Sequence, residues 1–436
     1  MTELIPVLTL AGGLGFGLVT GFPMAFTLSA SAIITALIFF GPHTLPFVAT
    51  NVFGMMSSMV LIALPLFVFM ACVLEKSAVA DDLYAFMYQA LGPVRGGLSM
   101  GTVMICAIIA AMSGVSTTAV VTMGIIALPI MLKQGYHKSI AIGPILAGGA
   151  LGLLIPPSIS LIVYGMVARV SIGKLFAGGI VPGLILVGLF LAYIGVRSFL
   201  QPNYAPALPR EKRVPLKDLI RLAKGLILPI AVISAVLGTI FAGIASPTEA
   251  AAVGVAGALI SAVINRKLSW SLLGQAAVRT MSISGMIMWI LFGATCFTSI
   301  FFRTGGQDLI ADLLLGMEAN PVLIFLFILA TLIVLGFFLD EITQVMITVP
   351  VFLPIIVELG YDPVWFGVLF MTQVQMDYLT PPFGFTLFYM KGVAPPEVSM
   401  GDIYRSILPF VLIQLVVVIF ILLYPEVVLW LPNLLF

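Results

Sequence analysis

The sequence predicts an all-α polytopic membrane protein built from two inverted-topology repeats, each with a re-entrant helical hairpin and a transmembrane helix broken at a Pro-Pro pair. Three observations carry this expectation. Apolar residues make up 61% of the 436 and charged residues 8%, against roughly 25% charged in soluble domains. Two apolar stretches, 97 to 132 and 321 to 357, are each interrupted midway by a polar cluster, SGVSTT at 113 to 118 and DEITQ at 340 to 344. A shift of 225 residues aligns PIMLKQGY (129 to 136) with PIIVELGY (354 to 361), and the same shift aligns IPPSISLIVY (155 to 164) with TPPFGFTLFY (380 to 389).

The first observation sets the solvent. Nineteen Lys+Arg and 18 Asp+Glu cannot clothe a water-soluble core of this length, so the partner of the surface is a lipid bilayer. Scattered basic residues and a net charge of +1 exclude nucleic acid, whose phosphates require clustered cations. Cys72, Cys106 and Cys296 sit singly in apolar runs and form neither a disulfide framework nor a metal-binding spacing.

Taken in order, the N-terminus has no basic region, and its first charge is Glu3, so it reads as a permanent first span rather than a cleaved signal. With about 20 apolar residues per crossing, ten crossings are expected near 4–22, 24–40, 54–74, 139–168, 175–199, 226–244, 249–264, 282–302, 363–390 and 406–430. The stretches 97–132 and 321–357 divide into halves too short to span comfortably, which makes each a re-entrant hairpin with a polar tip. The first repeat covers 1–200, with scaffold helices in about 1–74, then the hairpin and the broken helix 139–168. A polar cytoplasmic linker follows at 201–224. The second repeat covers 225–436, with scaffold helices in about 226–302, its hairpin, and the broken helix 363–390.

Orientation follows from charge. Sixteen of the basic residues, among them Lys76, Arg95, Lys133, Lys138, Arg197, Arg210, Lys212, Arg279, Lys391 and Arg405, fall on one face; Arg169, Lys174 and Arg303 fall on the other. The first face is therefore cytoplasmic, and both termini are expected to be periplasmic. Five crossings per half, an odd number, turn the second copy upside down relative to the first. The flanks agree: Arg95, Lys133, His137 and Lys138 bracket the first hairpin, Glu318, Glu358 and Asp362 the second.

Two tips entering from opposite faces, each followed by a Pro-Pro break, should converge near the midplane. Pro156-Pro157 and Pro381-Pro382 leave backbone carbonyls without helical partners, a cost of several kcal/mol in hydrocarbon unless something satisfies them. A bound cation does so. Half-helix N-termini offer amides to a carboxylate, and Ser113, Ser116, Thr117 and Thr118, with Gly114 for the turn, provide neutral oxygens suited to Na⁺. In membrane helices such hydroxyls commonly bond their own backbone; their place at a hairpin tip opposite a duplicated break favours a site. Asp340, Glu341 and Asp377 are the acids away from the membrane surfaces and count as functional candidates. His43 and His137 lie far from the serines in the chain, and no HExxH, nucleotide-binding loop or Cys/His metal spacing occurs, which argues against an enzyme and against ATP as the direct power source.

Together SGVSTTAVVTMGIIALPIMLKQGY, the GGALGLLIPPSISLIVYG stretch, SPTEAAAVGV (246 to 255), LDEITQVMITVPVFLPIIVELGY and LTPPFGFTLFYMKGVAP resemble the large membrane subunit of tripartite ATP-independent periplasmic (TRAP) transporters, in order over nearly the whole chain. The resemblance implies an elevator-type ion-transporter fold, Na⁺-coupled uptake of an organic acid across the bacterial inner membrane, and two protein partners. These are a small four-helix membrane subunit, expected as a separate polypeptide, and a periplasmic substrate-binding protein. The family's first tip, Ser-Gly-Ser-Ser, maps to Ser113, Gly114, Val115 and Ser116, with Val115 lacking one hydroxyl. The breaks map to Pro156, Pro157 and Ser158 and to Thr380, Pro381 and Pro382; Asp340 stands where relatives often carry an acid, whereas Asp377 is unusual. On this reading Na⁺ is held by Ser113, Gly114, Ser116, Pro156, Asp340, Thr343, Thr380 and Pro381, and the organic acid meets Ser116, Thr117, Ser158, Thr380 and Asp377. The motif LTPPFGFTLFYMKGVAP leans toward 2-oxo, 2-hydroxy or aromatic monocarboxylates. A receptor-independent Na⁺/organic anion symporter remains the alternative.

Overall fold

The computed structural model describes residues 4–77, 79–209, 211, 213–315 and 321–436. Glu3, the first charge of the chain, and Arg210, Lys212 and Glu318, whose charges bear on the orientation, lie outside them. The described residues form α-helices and short 3₁₀ turns, with no strand among them. In chain order the helices are α1 (Leu4–Thr20), α2 (Met24–Phe39), α3 (Leu45–Met56), α4 (Ala63–Lys76), α5 (Val79–Leu91), α6 (Gly97–Ser113), α7 (Ser116–Lys133), α8 (Lys138–Ala150), α9 (Ile159–Ala168) and α10 (Ile172–Leu200). They continue as α11 (Leu216–Phe241), α12 (Pro247–Ile264), α13 (Trp270–Arg303), α14 (Gly306–Leu315), α15 (Pro321–Gly336), α16 (Glu341–Glu358), α17 (Pro363–Asp377), α18 (Phe385–Val393), α19 (Met400–Leu423) and α20 (Glu426–Leu435).

Eight of the described helical segments are long and apolar enough to cross a membrane. Two of them, α7 and α16, are arms that the sequence reading places in hairpins. The segments 139–168 and 363–390 do not appear as single spans because each is two shorter helices flanking its prolines, α8 with α9 and α17 with α18. Other boundaries also move. The expected span 54–74 is the end of α3, a 3₁₀ turn at Met59–Ile62 and α4. The span 406–430 is α19 followed after a bend by α20, and α11 starts at Leu216, inside the stretch read as linker. Four short helices, α3, α5, α14 and α20, are 10 to 13 residues long and escape a ruler set to about 20 residues.

The ends of helices follow local chemistry. Ser246 and Glu249 form a capping box at the start of α12, with Pro247 at its first position, and Ser399 with Asp402 does the same for α19. These satisfy amides that the first helical turn leaves without partners. Between helices, small residues allow close approach: a Cβ on Gly293 of α13 would stand 2.3 Å from the Ala25 carbonyl of α2. One body of packed helices comprises α1, α2, α4, α11, α12 and α13. Beside it, the hairpins α6–α7 and α15–α16 pack crosswise with the broken helices: α7 lies against α18, and α16 against α9. Shifted by 225 residues, the bounds of α7 fall on those of α16.

The stretch after α10 is held rather than loose. Ala205 and Leu208 are buried, and backbone bonds run from Gly96 N–H to Ala205 O, Leu208 N–H to Gly92 O and His137 N–H to Tyr204 O. His137 also stacks on Tyr204 with ring centroids 4.3 Å apart. At this same end Lys138 bonds Asp402 at 2.8 Å.

Candidate functional site

The first hairpin turns at Gly114 and Val115. Gly114 ends α6 with φ +62°, a left-handed conformation that L side chains avoid. Val115 is extended and hands the chain to Ser116 as the first residue of α7. This tip rests on the first break. A Cβ added to Gly114 would lie 2.9 Å from the Pro157 carbonyl oxygen and 3.2 Å from Ile159 N. Around Pro156 and Pro157 the helix is interrupted between the 3₁₀ turn Leu151–Leu153 and α9, and both Pro-Pro bonds of the chain are cis.

The hydroxyls of this region divide by what they touch. Ser113 Oγ donates to Val115 O at 3.1 Å and so closes its own turn. Ser158, fully buried, donates to Leu153 O at 2.8 Å and accepts from Leu161 N–H, capping α9. Thr117 is half-buried. Ser116 differs: it is 1% exposed, and its hydroxyl has no hydrogen-bond partner. The Pro156 and Pro157 carbonyls, buried beside the tip, accept no backbone hydrogen bond among the described residues. Such a set of unpartnered buried oxygens costs free energy unless an ion or water completes it. The residues present therefore fit a small cation bound through neutral oxygens.

The second tip rests on the second break in the same manner. Asp340 caps α16: Oδ1 accepts from the Ile342 and Thr343 N–H groups, both at 3.1 Å, and Oδ2 accepts from Thr343 Oγ1 at 2.6 Å. The Glu341 N–H donates to Tyr378 Oη at 3.1 Å, joining tip to break. Phe337 and Phe338 face Phe383 at centroid distances of 6.0 and 5.6 Å. Thr380 Oγ1 donates to Met376 O at 2.8 Å, and the Pro382 carbonyl accepts from Tyr404 Oη. Pro381 is half-buried at the mouth of the break.

The structure thus joins Ser113, Gly114, Ser116 and Pro156 in one neighbourhood and Asp340, Thr343, Thr380 and Pro381 in another. The two breaks are braced by Tyr164 of α9, whose hydroxyl donates to Pro363 O of α17 at 2.7 Å. Asp377 is fully buried and turns toward the second hairpin. Oδ1 accepts from Gln373 Nε2 at 2.8 Å, and the carboxyl packs on Gly336, where an added Cβ would meet Oδ2 at 2.4 Å. Three buried amides, Gln344 of the DEITQ cluster with Gln373 and Gln375 of α17, lie beside these groups and are not among the expected site residues. Gln344 donates to Leu332 O but leaves its Oε1 unpartnered, Gln373 holds Asp377, and Gln375 has no partner at either amide atom. Uncharged polar residues in apolar runs were the available signal; attention to ionisable groups alone passes over them.

A family model described as "Tripartite ATP-independent periplasmic transporter, DctM component" matches residues 12–427. The chain belongs to this TRAP transporter family. Its relatives are permeases, not enzymes. It is 32% identical over 408 residues to the C4-dicarboxylate TRAP transporter large permease protein DctM of Pseudomonas aeruginosa, covering 93% of this chain and 94% of that one. It is 30% identical over 415 residues to the isethionate TRAP transporter permease protein DctMQ of Oleidesulfovibrio alaskensis, covering 95% of this chain. The TRAP chain described here spans 64% of that relative's length. Among solved structures, the Alcanivorax borkumensis YdaH transporter matches with a TM-score of 0.66 over 97% of this chain and 98% of its own, at 15% identity. That likeness concerns the fold.

Proposed function

We infer that this chain is the transport subunit of a Na⁺-coupled, binding-protein-dependent importer of an organic acid in the bacterial inner membrane. The observation that carries the reading is the unpartnered, buried Ser116 hydroxyl at a hairpin tip whose Gly114 is seated on the Pro157 carbonyl, a carbonyl that accepts no backbone hydrogen bond among the described residues. Na⁺ favours such neutral oxygens. The first tip and first break form one cation site, and the second tip and second break, with Asp340, Thr343, Thr380 and Pro381, form another. The carboxylate lies between the tips, drawn by half-helix N-termini, with Ser116 and Thr117 as the hydroxyls that can donate to it; Ser158 and Thr380 already donate to Leu153 O and Met376 O, and Asp377 turns to Gln373.

The repeats 1–200 and 225–436 are inverted about the linker, with both termini periplasmic. The crosswise packing of hairpins with broken helices supports a reading in which they move as one body against the remaining helices, opening the site alternately to each face in an elevator motion. Charge balance favours Na⁺ moving with an anion, since each ion lowers the cost of carrying the other through a low-dielectric interior. A small membrane subunit and a periplasmic binding protein complete the assembly; the P. aeruginosa and O. alaskensis relatives are named for C4-dicarboxylate and isethionate, both anions.

The test is uptake into proteoliposomes holding this chain, its small partner and the binding protein, with the acid chosen by a thermal-shift screen of that binding protein. Uptake should require an inward Na⁺ gradient, and Ser116→Ala should raise the Na⁺ concentration for half-maximal rate about tenfold, the equivalent of one lost ligand worth about 1.4 kcal/mol. Undiminished uptake without Na⁺, or an unchanged Na⁺ dependence in Ser116→Ala, would refute the coupling. Full-rate uptake without the binding protein would identify a receptor-independent symporter instead.

A further inference from the structure

A cavity of about 440 Å³ lies at the end of the molecule opposite the Lys138–Asp402 pair. It separates the α9–α10 turn from the starts of α4 and α12 and the end of α11, with Ser58, Arg169, Ser171, Ile240 and Pro247 in its walls. Its size falls within the range of small-molecule sites, which combine mostly apolar walls with a few polar groups. It also lies on the seam between the helices bearing the breaks and the α4–α11–α12 body.

Arg169 is the feature that needs explaining. It is exposed, it forms no ion pair or side-chain hydrogen bond among the described residues, and it ends α9 with φ +56°. Glycine is the usual occupant of such a helix end, and an L side chain there costs about 1–2 kcal/mol. Arg266 after α12 bears the same cost at φ +52°, so the backbone alone does not single out Arg169; its place in the wall of a cavity, with no partner for its guanidinium among the described residues, does. The surroundings agree. Of the three basic residues that the sequence assigns to this face, Arg303 is taken up by the Phe40 and Phe47 rings, 5.2 and 5.5 Å from its guanidinium carbon. Arg169 is left in the cavity wall, which also receives the start of the 29-residue α10, where the Ser171 hydroxyl accepts the Lys174 N–H.

We propose that this cleft is a capture site for a small carboxylate or sulfonate anion, bound by the Arg169 guanidinium on the seam between the two bodies. The anion pairs with the guanidinium through two oxygens while its carbon skeleton meets the apolar wall. The site deepens the transport reading by adding a station where the organic anion waits before the tips.

A pair of probes of opposite charge tests it whichever acid is the substrate. In the full chain in nanodiscs, where both faces are accessible, Ser58→Cys supplies a reporter in the wall; Cys72, Cys106 and Cys296 are buried. Its rate of modification by an anionic sulfonatoethyl methanethiosulfonate is divided by that for the cationic trimethylammonioethyl analogue. Arg169→Gln should lower this ratio roughly fivefold, as expected for removal of a cation from a confined cleft, and Arg303→Gln should leave it unchanged. Millimolar succinate, isethionate or pyruvate should slow the reaction with Arg169 present and not in Arg169→Gln. A ratio indifferent to Arg169 overturns the proposal, as does a falling ratio with no slowing by any of the three anions. Val60→Cys, in the same wall, repeats the measurement if Ser58→Cys does not fold. Loss of Na⁺-driven uptake by the unmodified chain would count against the transport reading while leaving the cysteine rates to judge the cleft.

Discussion

Gly114→Ala is the substitution by which the junction of first tip and first break can be tested most sharply. Two costs add. At φ +62° alanine loses about 1–2 kcal/mol to the contact between its Cβ and the backbone. The same Cβ would stand 2.9 Å from the Pro157 carbonyl oxygen and 3.3 Å from Ile159 Cγ1. The first neighbour is backbone within the break and cannot rotate aside, so relief requires the tip to lift, an overpacking penalty of about 1–3 kcal/mol. The expected total is about 2–5 kcal/mol. If only about 1.4 kcal/mol of it appears as displacement of Ser116 from the break carbonyls, the Na⁺ concentration for half-maximal uptake rises about tenfold. Thermal unfolding in detergent should show a midpoint lowered by several degrees, and uptake against Na⁺ should show the shift in half-saturation. Gly152→Ala provides the scale: its Cβ would meet Val115 C at 3.2 Å and Ser116 N at 3.3 Å with no positive φ, so its cost should be smaller, about 1 kcal/mol. A Gly114→Ala protein with unchanged midpoint and unchanged Na⁺ dependence would refute the contact between tip and break.

Gly336→Ala should destabilise by about 1–3 kcal/mol, because its Cβ would overlap the Asp377 carboxyl at 2.4 and 2.7 Å; combination with Asp377→Ala should recover part of the loss, and strict additivity in thermal unfolding would show the two are not in contact. Lys138→Met removes the bond to Asp402, but with the two side chains 37% and 28% exposed the unfolding free energy should change by no more than about 1 kcal/mol, and the loss should shrink in high salt. His137 has its pKa lowered by burial and then by the nearby Arg197. Its neutral form is favoured in the fold, so the associated stability is present above the unfolded pKa and declines as pH falls through the folded one; His137→Gln should flatten that decline in a pH series of unfolding midpoints.

Much of the architecture is legible in one dimension because lipid imposes it locally. A helix must be long and apolar to cross, a proline pair must interrupt it, and a capping residue must start it. The first tip at 114–115 and the breaks at 156–157 and 381–382 lie where the polar cluster and the prolines stand, whereas the second tip at 337–340 is Phe, Phe, Leu and Asp, and the rest of its polar cluster forms the first turn of α16. Short helices such as α3, α5, α14 and α20 were not legible. Their existence depends on packing against neighbours or on the membrane edge, and their length matches no spanning rule.

The site divides in the same way. Residue type and spacing alone bring Ser113, Ser116, Ser158, Thr380, Asp340 and Asp377 forward as equals. Their hydrogen bonds separate them: Ser113 closes its turn, Ser158 and Asp340 cap helices, Thr380 bonds back to Met376, and Asp377 holds Gln373 through Oδ1 while its Oδ2, packed on Gly336, has no hydrogen-bond partner. Of the hydroxyls in this set, Ser116 is the one left buried and without a partner. A sequence states which donors and acceptors a chain owns and which spans must cross the bilayer. Whether a given oxygen is already satisfied depends on side-chain direction and on neighbours distant in the chain, such as the carbonyl of Pro157 beneath Gly114, and those are set when the helices pack.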